Sequence, residues 1–174
     1  MASVTVIRAR EPEDLDGCAG ILRRVHEITG YPSGWPRDPG RWLTPAGQVA
    51  AWVAEDDGQL AGHVALVQGV RNKCLLQATG RDARELGGIA RLFVDPAVRR
   101  QGLARALLEA ATSAARARGL QPVLDVVADS QPAIALYERS GWELVGTQTA
   151  TWVTPAGISP TLRCYVGPEA PAAP

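Results

Sequence analysis

The sequence has no excess of either charge: 18 basic side chains face 18 acidic ones over 174 residues, and the formal net charge is zero. That balance excludes a general affinity for polyanions, so no nucleic-acid partner is expected and any bound anion must be held by a local cluster. Long apolar runs are missing as well. No segment approaches the roughly 20 apolar residues of a bilayer-spanning helix. The opening MASVTVIRAR lacks the basic-then-apolar pattern of a secretory leader. A cytoplasmic chain with no membrane partner is therefore expected. Cysteine is scarce. Cys18, Cys74 and Cys164 are odd in number, scattered, and form no Cys-x-x-Cys pair, which excludes a disulfide framework and a thiolate metal site and predicts free thiols in a reducing compartment. No metal is expected. Lysine is almost absent, Lys73 being the only one, so positive charge means arginine here. There is no internal repeat and no linker that would split the chain.

What is present is enough chain for one domain with a proper core. SVTVIRAR alternates apolar and polar and reads as a strand. EPEDLDGCAGILRRVHEITG reads as a helix, with Pro12 in its first turn, acids at its start, Gly30 at its end, and Leu15, Cys18, Leu22 and Val25 on one face. YPSGWPRDPGRWLTPAG is too rich in proline, glycine and tryptophan for a long regular element. QVAAWVAEDDGQLAGHVALVQGV is a hairpin around Asp56, Asp57 and Gly58. RNKCLLQATGRDAREL reads as a loop, and GGIARLFVDP as a strand stopped by Pro96. Leu103, Leu107, Ala110 and Ala114 mark one face of a helix ending at Gly119; QPVLDVV is a buried strand and SQPAIALYERSG a short helix. WELVGTQTATW and TLRCYVG close the chain as strands, and PEAPAAP is expected to be a disordered tail, leaving residues 1–167 as one domain. Hairpins mixed with crossovers predict an α/β domain with a mixed sheet.

One stretch contains a local conflict. In VDPAVRRQGLARALLEAA, Arg99, Arg100 and Arg105 crowd a helix start, where the partial charge is positive and cations are the wrong sign. The conflict disappears if the helix start holds an anion. Unpaired backbone N–H groups there bind phosphate, Gly102 permits close approach, Ala104 keeps the next inward position small, and the arginines add charge-assisted hydrogen bonds. Taken alone, RRQGLA reads equally well as a solvated turn.

The context decides. IARLFVDPAVRRQGLARALLEAA resembles the acetyl-CoA-binding segment of the GNAT superfamily of N-acetyltransferases, with Arg99, Gly102 and Ala104 at the motif positions. PAIALYERSGWELVG resembles the family's second signature, and AWVAEDDGQLAGHVAL its central hairpin. The resemblance implies a GNAT fold: a central mixed, mostly antiparallel sheet of about six to seven strands flanked by about four helices. It implies acetyl-CoA as acyl donor, its pantetheine arm pairing with backbone groups of Leu92 and Val94 beside Phe93. Its diphosphate would lie on the segment Arg99, Arg100, Gln101, Gly102, Leu103, Ala104 and Arg105. Two positions depart from the family's usual pattern: Ala104 stands where glycine is common, and Ser130 where an asparagine often contacts the cofactor.

The implied reaction moves an acetyl group from the CoA thioester to a primary amine by direct attack in a ternary complex. The departing thiolate needs a proton, and a phenol of pKa ~10 can supply it. Tyr137 stands where the family often carries this acid, although it also shares a helix face with Ile134. For the base, Glu85 and Asp125 rank ahead of His63, a satisfied strand histidine, and His26, expected to be solvated on its helix. Deprotonation through water is an equal alternative. Tyr31, Trp35 and Trp42 lie where the family's acceptor loop falls; they would wall a pocket for a small-molecule or peptide amine, or pin an irregular loop to the domain. The competing functions are a protein N-terminal or aminoacyl-tRNA acetyltransferase and a non-catalytic acyl-CoA sensor. A homodimer through the closing strands or a sheet edge is compatible with such a fold.

Overall fold

The computed structural model describes residues 4–98 and 102–169. Seven strands form one sheet: β1 Thr5–Ala9, β2 Gln48–Asp56, β3 Gln59–Gln68, β4 Leu86–Val94, β5 Gln121–Val127, β6 Glu143–Thr149 and β7 Thr161–Val166. Their order is β1-β2-β3-β4-β5-β7-β6. The pairs β1–β2, β2–β3, β5–β7 and β6–β7 are antiparallel and β4–β5 is parallel, so the sheet is mixed and mostly antiparallel, as expected. Among the described residues five helices accompany it: α1 Leu15–Thr29, α2 Pro39–Trp42, α3 Lys73–Thr79, α4 Leu103–Ala117 and α5 Gln131–Arg139. None of the described helices is long and apolar enough to cross a membrane.

The local reasons for these elements are visible in the chain. In α1, Cys18, Ile21, Leu22 and Val25 recur at helical spacing and are buried, and Gly30 ends the helix at φ 74° with its N–H on the His26 carbonyl. Asp57 and Gly58 both take positive φ, 48° and 76°, which is what a two-residue turn between β2 and β3 demands. One expectation fails. The segment 71–86, read as a loop, contains α3 and a 3-10 turn over Ala83–Glu85. Asn72 caps α3 by accepting from the Leu75 N–H at 3.1 Å, and Gly80 ends it at φ 63°. Seven residues are too few for periodicity to reveal a helix, and burial of Leu75 stabilises it instead. With α2, this raises the helices from about four to five.

The chain divides into two compact units, 1–67 with 89–111 and 68–88 with 112–174. In the first unit, Cys18, Ile21, Leu22 and Val25 of α1 pack with Leu43, Val53 and Phe93. Each such aliphatic side chain taken from water contributes roughly 1.5–3 kcal/mol. Gly62 on β3 lies where a Cβ would stand 2.9 Å from Leu107 Cδ1 and 3.0 Å from the Phe93 carbonyl, so glycine is what lets α4 lie close on the strands. In the second unit, Leu75, Leu86, Val123 and Cys164 form the core. All three cysteines are free thiols; Cys18 and Cys164 are buried and Cys74 half-buried.

Candidate active site

Within the first unit, the site begins where β4 ends. Asp95 is buried. Its N–H donates to the Ala61 carbonyl at 2.7 Å, its Oδ1 accepts from the Ala97 N–H at 3.0 Å, and Arg24 of α1 pairs with its other oxygen. This anchors the backbone at the end of β4. Arg99, Arg100 and Gln101 lie outside the described residues. Gly102 follows at φ 74°, and a Cβ there would meet nothing within 4 Å, so the approach to its backbone is open. Its carbonyl accepts from the Ala106 N–H at 3.0 Å, the first bond of α4. The N–H groups of Leu103, Ala104 and Arg105 therefore fall in the first turn, where the helix supplies no acceptor. Leu103 is buried, Ala104 half-buried and Arg105 exposed, so the helix is tied down by one side chain while a cation stands in solvent beside its start. Such an arrangement can bind phosphate oxygens.

β4 itself is distorted. Arg91 takes φ 55° inside a strand that otherwise runs extended. A non-glycine residue held there costs on the order of 1–2 kcal/mol, so something must compensate. His63 on β3 does. It is fully buried, its Nδ1 is 2.8 Å from the Arg91 carbonyl, and its Nε2 is 2.8 Å from Arg10 Nη1. A carbonyl only accepts and a guanidinium only donates, so Nδ1 carries the hydrogen and Nε2 is the acceptor. Arg10 is fixed in turn by the Leu43 carbonyl at 2.6 Å and Thr44 Oγ1 at 3.1 Å. Phe93 stacks on the imidazole with centroids 5.3 Å apart. Burial, reinforced by the Arg10 and Arg91 charges, pushes His63 down to about 4, so it stays neutral at ordinary pH. His63 is thus a satisfied strand histidine, as read from sequence, but the left-handed residue it holds was not foreseen. The available signal was a charged residue, Arg91, set within the apolar run IARLFV.

Leu92, Phe93 and Val94 follow Arg91; Phe93 and Val94 are buried and Leu92 is half-buried. β4 is in parallel register with β5 over Leu86–Gly88, three residues of a nine-residue strand. Beside it, the Arg91 guanidinium lies 3.8 Å from the Trp42 ring centre and Nε donates to the Trp42 carbonyl at 3.2 Å. Tyr31 meets Trp42 edge-on at 5.9 Å, and burial pushes its phenol pKa up. Arg23 stacks on Trp35 at 4.4 Å. Both indoles thus already carry a cation of this chain, and Tyr31, Trp35 and Trp42 pack against the α1 cluster. His26 is not solvated as expected: it is half-buried, its Nδ1 bonds the Pro32 carbonyl at 2.7 Å, and its ring lies 5.5 Å from Trp35. The proline-rich segment folds back over this part of α1, which helical periodicity alone does not reveal.

The second unit holds the other candidates. Tyr137 on α5 is 8% exposed, with ring centres of Tyr165 at 6.0 Å and Trp142 at 6.2 Å. Ser130 is the N-cap of α5, its carbonyl accepting from the Ile134 N–H at 3.0 Å. Asp125 on β5 accepts from Asn72 Nδ2 at 2.9 Å, which ties it to the cap of α3. Glu85 is exposed, and its Oε2 accepts from the Asp82 N–H at 2.8 Å, closing a one-turn cap. Each acid therefore has a local hydrogen-bond partner. The first unit collects the β4 residues, Gly102 to Arg105 and the aromatic loop; Tyr137, Ser130, Asp125 and Glu85 belong to the second.

Comparison with known proteins agrees with this geometry. The profile of the Acetyltransferase (GNAT) family matches residues 20–142, well over half of the chain. The chain belongs to that family. Peptidyl-lysine N-acetyltransferase YiaC of Escherichia coli (strain K12) is 28% identical over 117 residues, covering 64% of this chain and 66% of that protein. The match thus spans just under two thirds of this relative's length. Among solved structures, the ribosomal-protein-S18-alanine N-acetyltransferase from Escherichia coli superposes with a TM-score of 0.70 at 22% identity, covering 98% of this chain and 97% of that one. Arabidopsis thaliana NAA60 in complex with acetyl-CoA gives 0.72 at 20% identity, covering 94% and 97%. At these identities the structural likeness establishes the fold.

Proposed function

We propose that residues 1–167 act as a single acetyl-CoA-dependent N-acetyltransferase domain that moves an acetyl group from the thioester to a primary amine by direct attack. The observation that carries the reading is the open, glycine-led start of α4 directly after β4, in a chain of this family. Leu103, Ala104 and Arg105 present first-turn N–H groups there, and the Gly102 backbone is unobstructed. Arg99, Arg100 and Arg105 supply the positive charge that a diphosphate requires, and Gln101 adds a neutral amide that can donate to it. Val94, and Leu92 through its carbonyl, pair with the amides of the pantetheine arm as an added strand would, beside Phe93. Ser130 contributes a hydroxyl in place of the family's common asparagine. Acetyl-CoA bound to the relative from Arabidopsis thaliana supports the choice of donor.

Tyr137 gives its phenolic proton to the departing thiolate. The acceptor must arrive as a neutral amine. Asp125 and Glu85 are the candidate bases; each accepts a hydrogen bond on one oxygen and keeps further lone pairs, so it can take the proton directly or through water. The acceptor is a small-molecule amine lodged beside Tyr31, Trp35 and Trp42. A protein amine is the second reading, favoured by the names of the relatives, which specify a peptidyl lysine and a ribosomal-protein alanine. The test is thiol release from acetyl-CoA against a library of small amines, lysine-bearing peptides and peptides with a free N-terminus. Release driven by small amines supports the first reading and release driven by peptides the second. No release above spontaneous hydrolysis with any amine removes the transferase assignment.

A further inference from the structure

We infer that His63 is a positioning residue for this transfer: by holding the Arg91 carbonyl it aims the Leu92 N–H at the thioester oxygen that gains charge during attack. The inference rests on the transferase reading given above. Arg91 and Leu92 share one peptide unit, and it is trans, since the cis bond of the described chain is Tyr31–Pro32. In a trans peptide the C=O and N–H point in opposite directions. Fixing the Arg91 carbonyl therefore fixes the Leu92 N–H on the other side of the plane. His63 Nδ1 makes that fixing bond at 2.8 Å.

The ring that makes it is held on every side. Arg10 Nη1 occupies Nε2, Phe93 lies against its face, and the ring is fully buried. The titratable and charged groups facing it are Arg10 and Arg91, both cations. Arg91 is restrained from its other end too, by Nε on the Trp42 carbonyl and the guanidinium over the indole. Arg91 is thus clamped between β3 and the segment carrying Trp42. A histidine that served only as packing would be replaceable by an apolar side chain of similar breadth. A histidine that serves as a donor would not be.

That contrast supplies the test. Asparagine places its amide N–H near the Nδ1 position and keeps the bond to the Arg91 carbonyl. Leucine fills space without a donor, and glutamine carries its amide out to the Nε2 end. With acetyl-CoA and an amine found by the library screen, His63→Leu is expected to lower kcat about tenfold to a hundredfold while the acetyl-CoA KM moves less than about threefold, as for a mis-aimed oxyanion donor. His63→Asn stays within about fivefold of the parent by the same reasoning. If His63→Leu does not fold, as read by its thermal melt, His63→Gln takes its place and is expected to fall likewise. Leu or Gln matching or exceeding Asn in kcat overturns the inference. So does a folded Leu or Gln variant whose Leu92 amide resonance stays where the parent has it. A parent chain that releases no thiol with any amine overturns the transferase reading itself, and the inference goes with it. An active parent with an equally active Leu variant overturns the inference alone.

Discussion

Acidification should reveal the buried imidazole before any substrate is added. Replacing His63 by Asn removes one titrating group and leaves every other one common to both chains. The native environment pushes His63 from its ordinary 6.5 down to about 4, because the ring is out of water and faces two guanidinium groups. An unfolded chain binds that proton near the ordinary value. Between the two values the unfolded state therefore holds more protons than the folded one, and folding stability must fall as pH falls through that window. Carried from about pH 7.5 to about pH 5, the linkage amounts to ~2 kcal/mol, most of the ~3 kcal/mol that the whole shift represents. Urea unfolding at the two pH values measures it. The parent should lose ~2 kcal/mol more on acidification than His63→Asn does, whatever the variant's stability at the higher pH. Parallel losses in the two chains would show that His63 titrates alike folded and unfolded, and the buried, doubly bonded ring described here would be wrong.

Three further outcomes follow from the geometry. Gly62→Ala places a Cβ 2.9 Å from Leu107 Cδ1 and 3.0 Å from the Phe93 carbonyl; overpacking of this kind costs about 1–3 kcal/mol, read as a lower melting temperature, and an unchanged melt would mean that α4 is not seated closely on β3. Tyr137→Phe should lower kcat about a hundredfold, a typical effect of losing a general acid, and should alter the alkaline limb of the pH–rate profile; a profile identical to the parent's dismisses the tyrosine as proton donor. Trp42→Ala should raise the KM of the amine acceptor by more than that of acetyl-CoA, and equal effects on both would assign Trp42 to loop packing alone.

Much of this was legible in the residues because it depends on neighbours in sequence. The hairpin at Asp57–Gly58 needs two positive φ angles, and the pair of residue types announces it. The start of α4 is legible for a similar reason: Gly102, at φ 74°, stands just before the run of helix formers that begins at Leu103. What stayed hidden depends on distant contacts. The left-handed backbone at Arg91 is held by His63, 28 positions away, and no pattern in either strand declares the partnership. α3 is too short for periodicity, and its burial against Leu86, Val123 and Cys164 is a property of the folded unit. The same holds for the hydrogen bond that Asp125 accepts from Asn72, 53 positions away. His26 was misjudged because helical periodicity says nothing about a proline-rich segment returning to cover it.

The coenzyme site itself is open to direct measurement on the purified, isotope-labelled chain titrated with CoA while its amide resonances are followed. Saturable binding should move the Gly102, Leu103 and Ala104 amides most, with Leu92 and Val94 close behind. If CoA leaves those amides in place, or does not bind at all, the account of this helix start as the diphosphate cradle is contradicted.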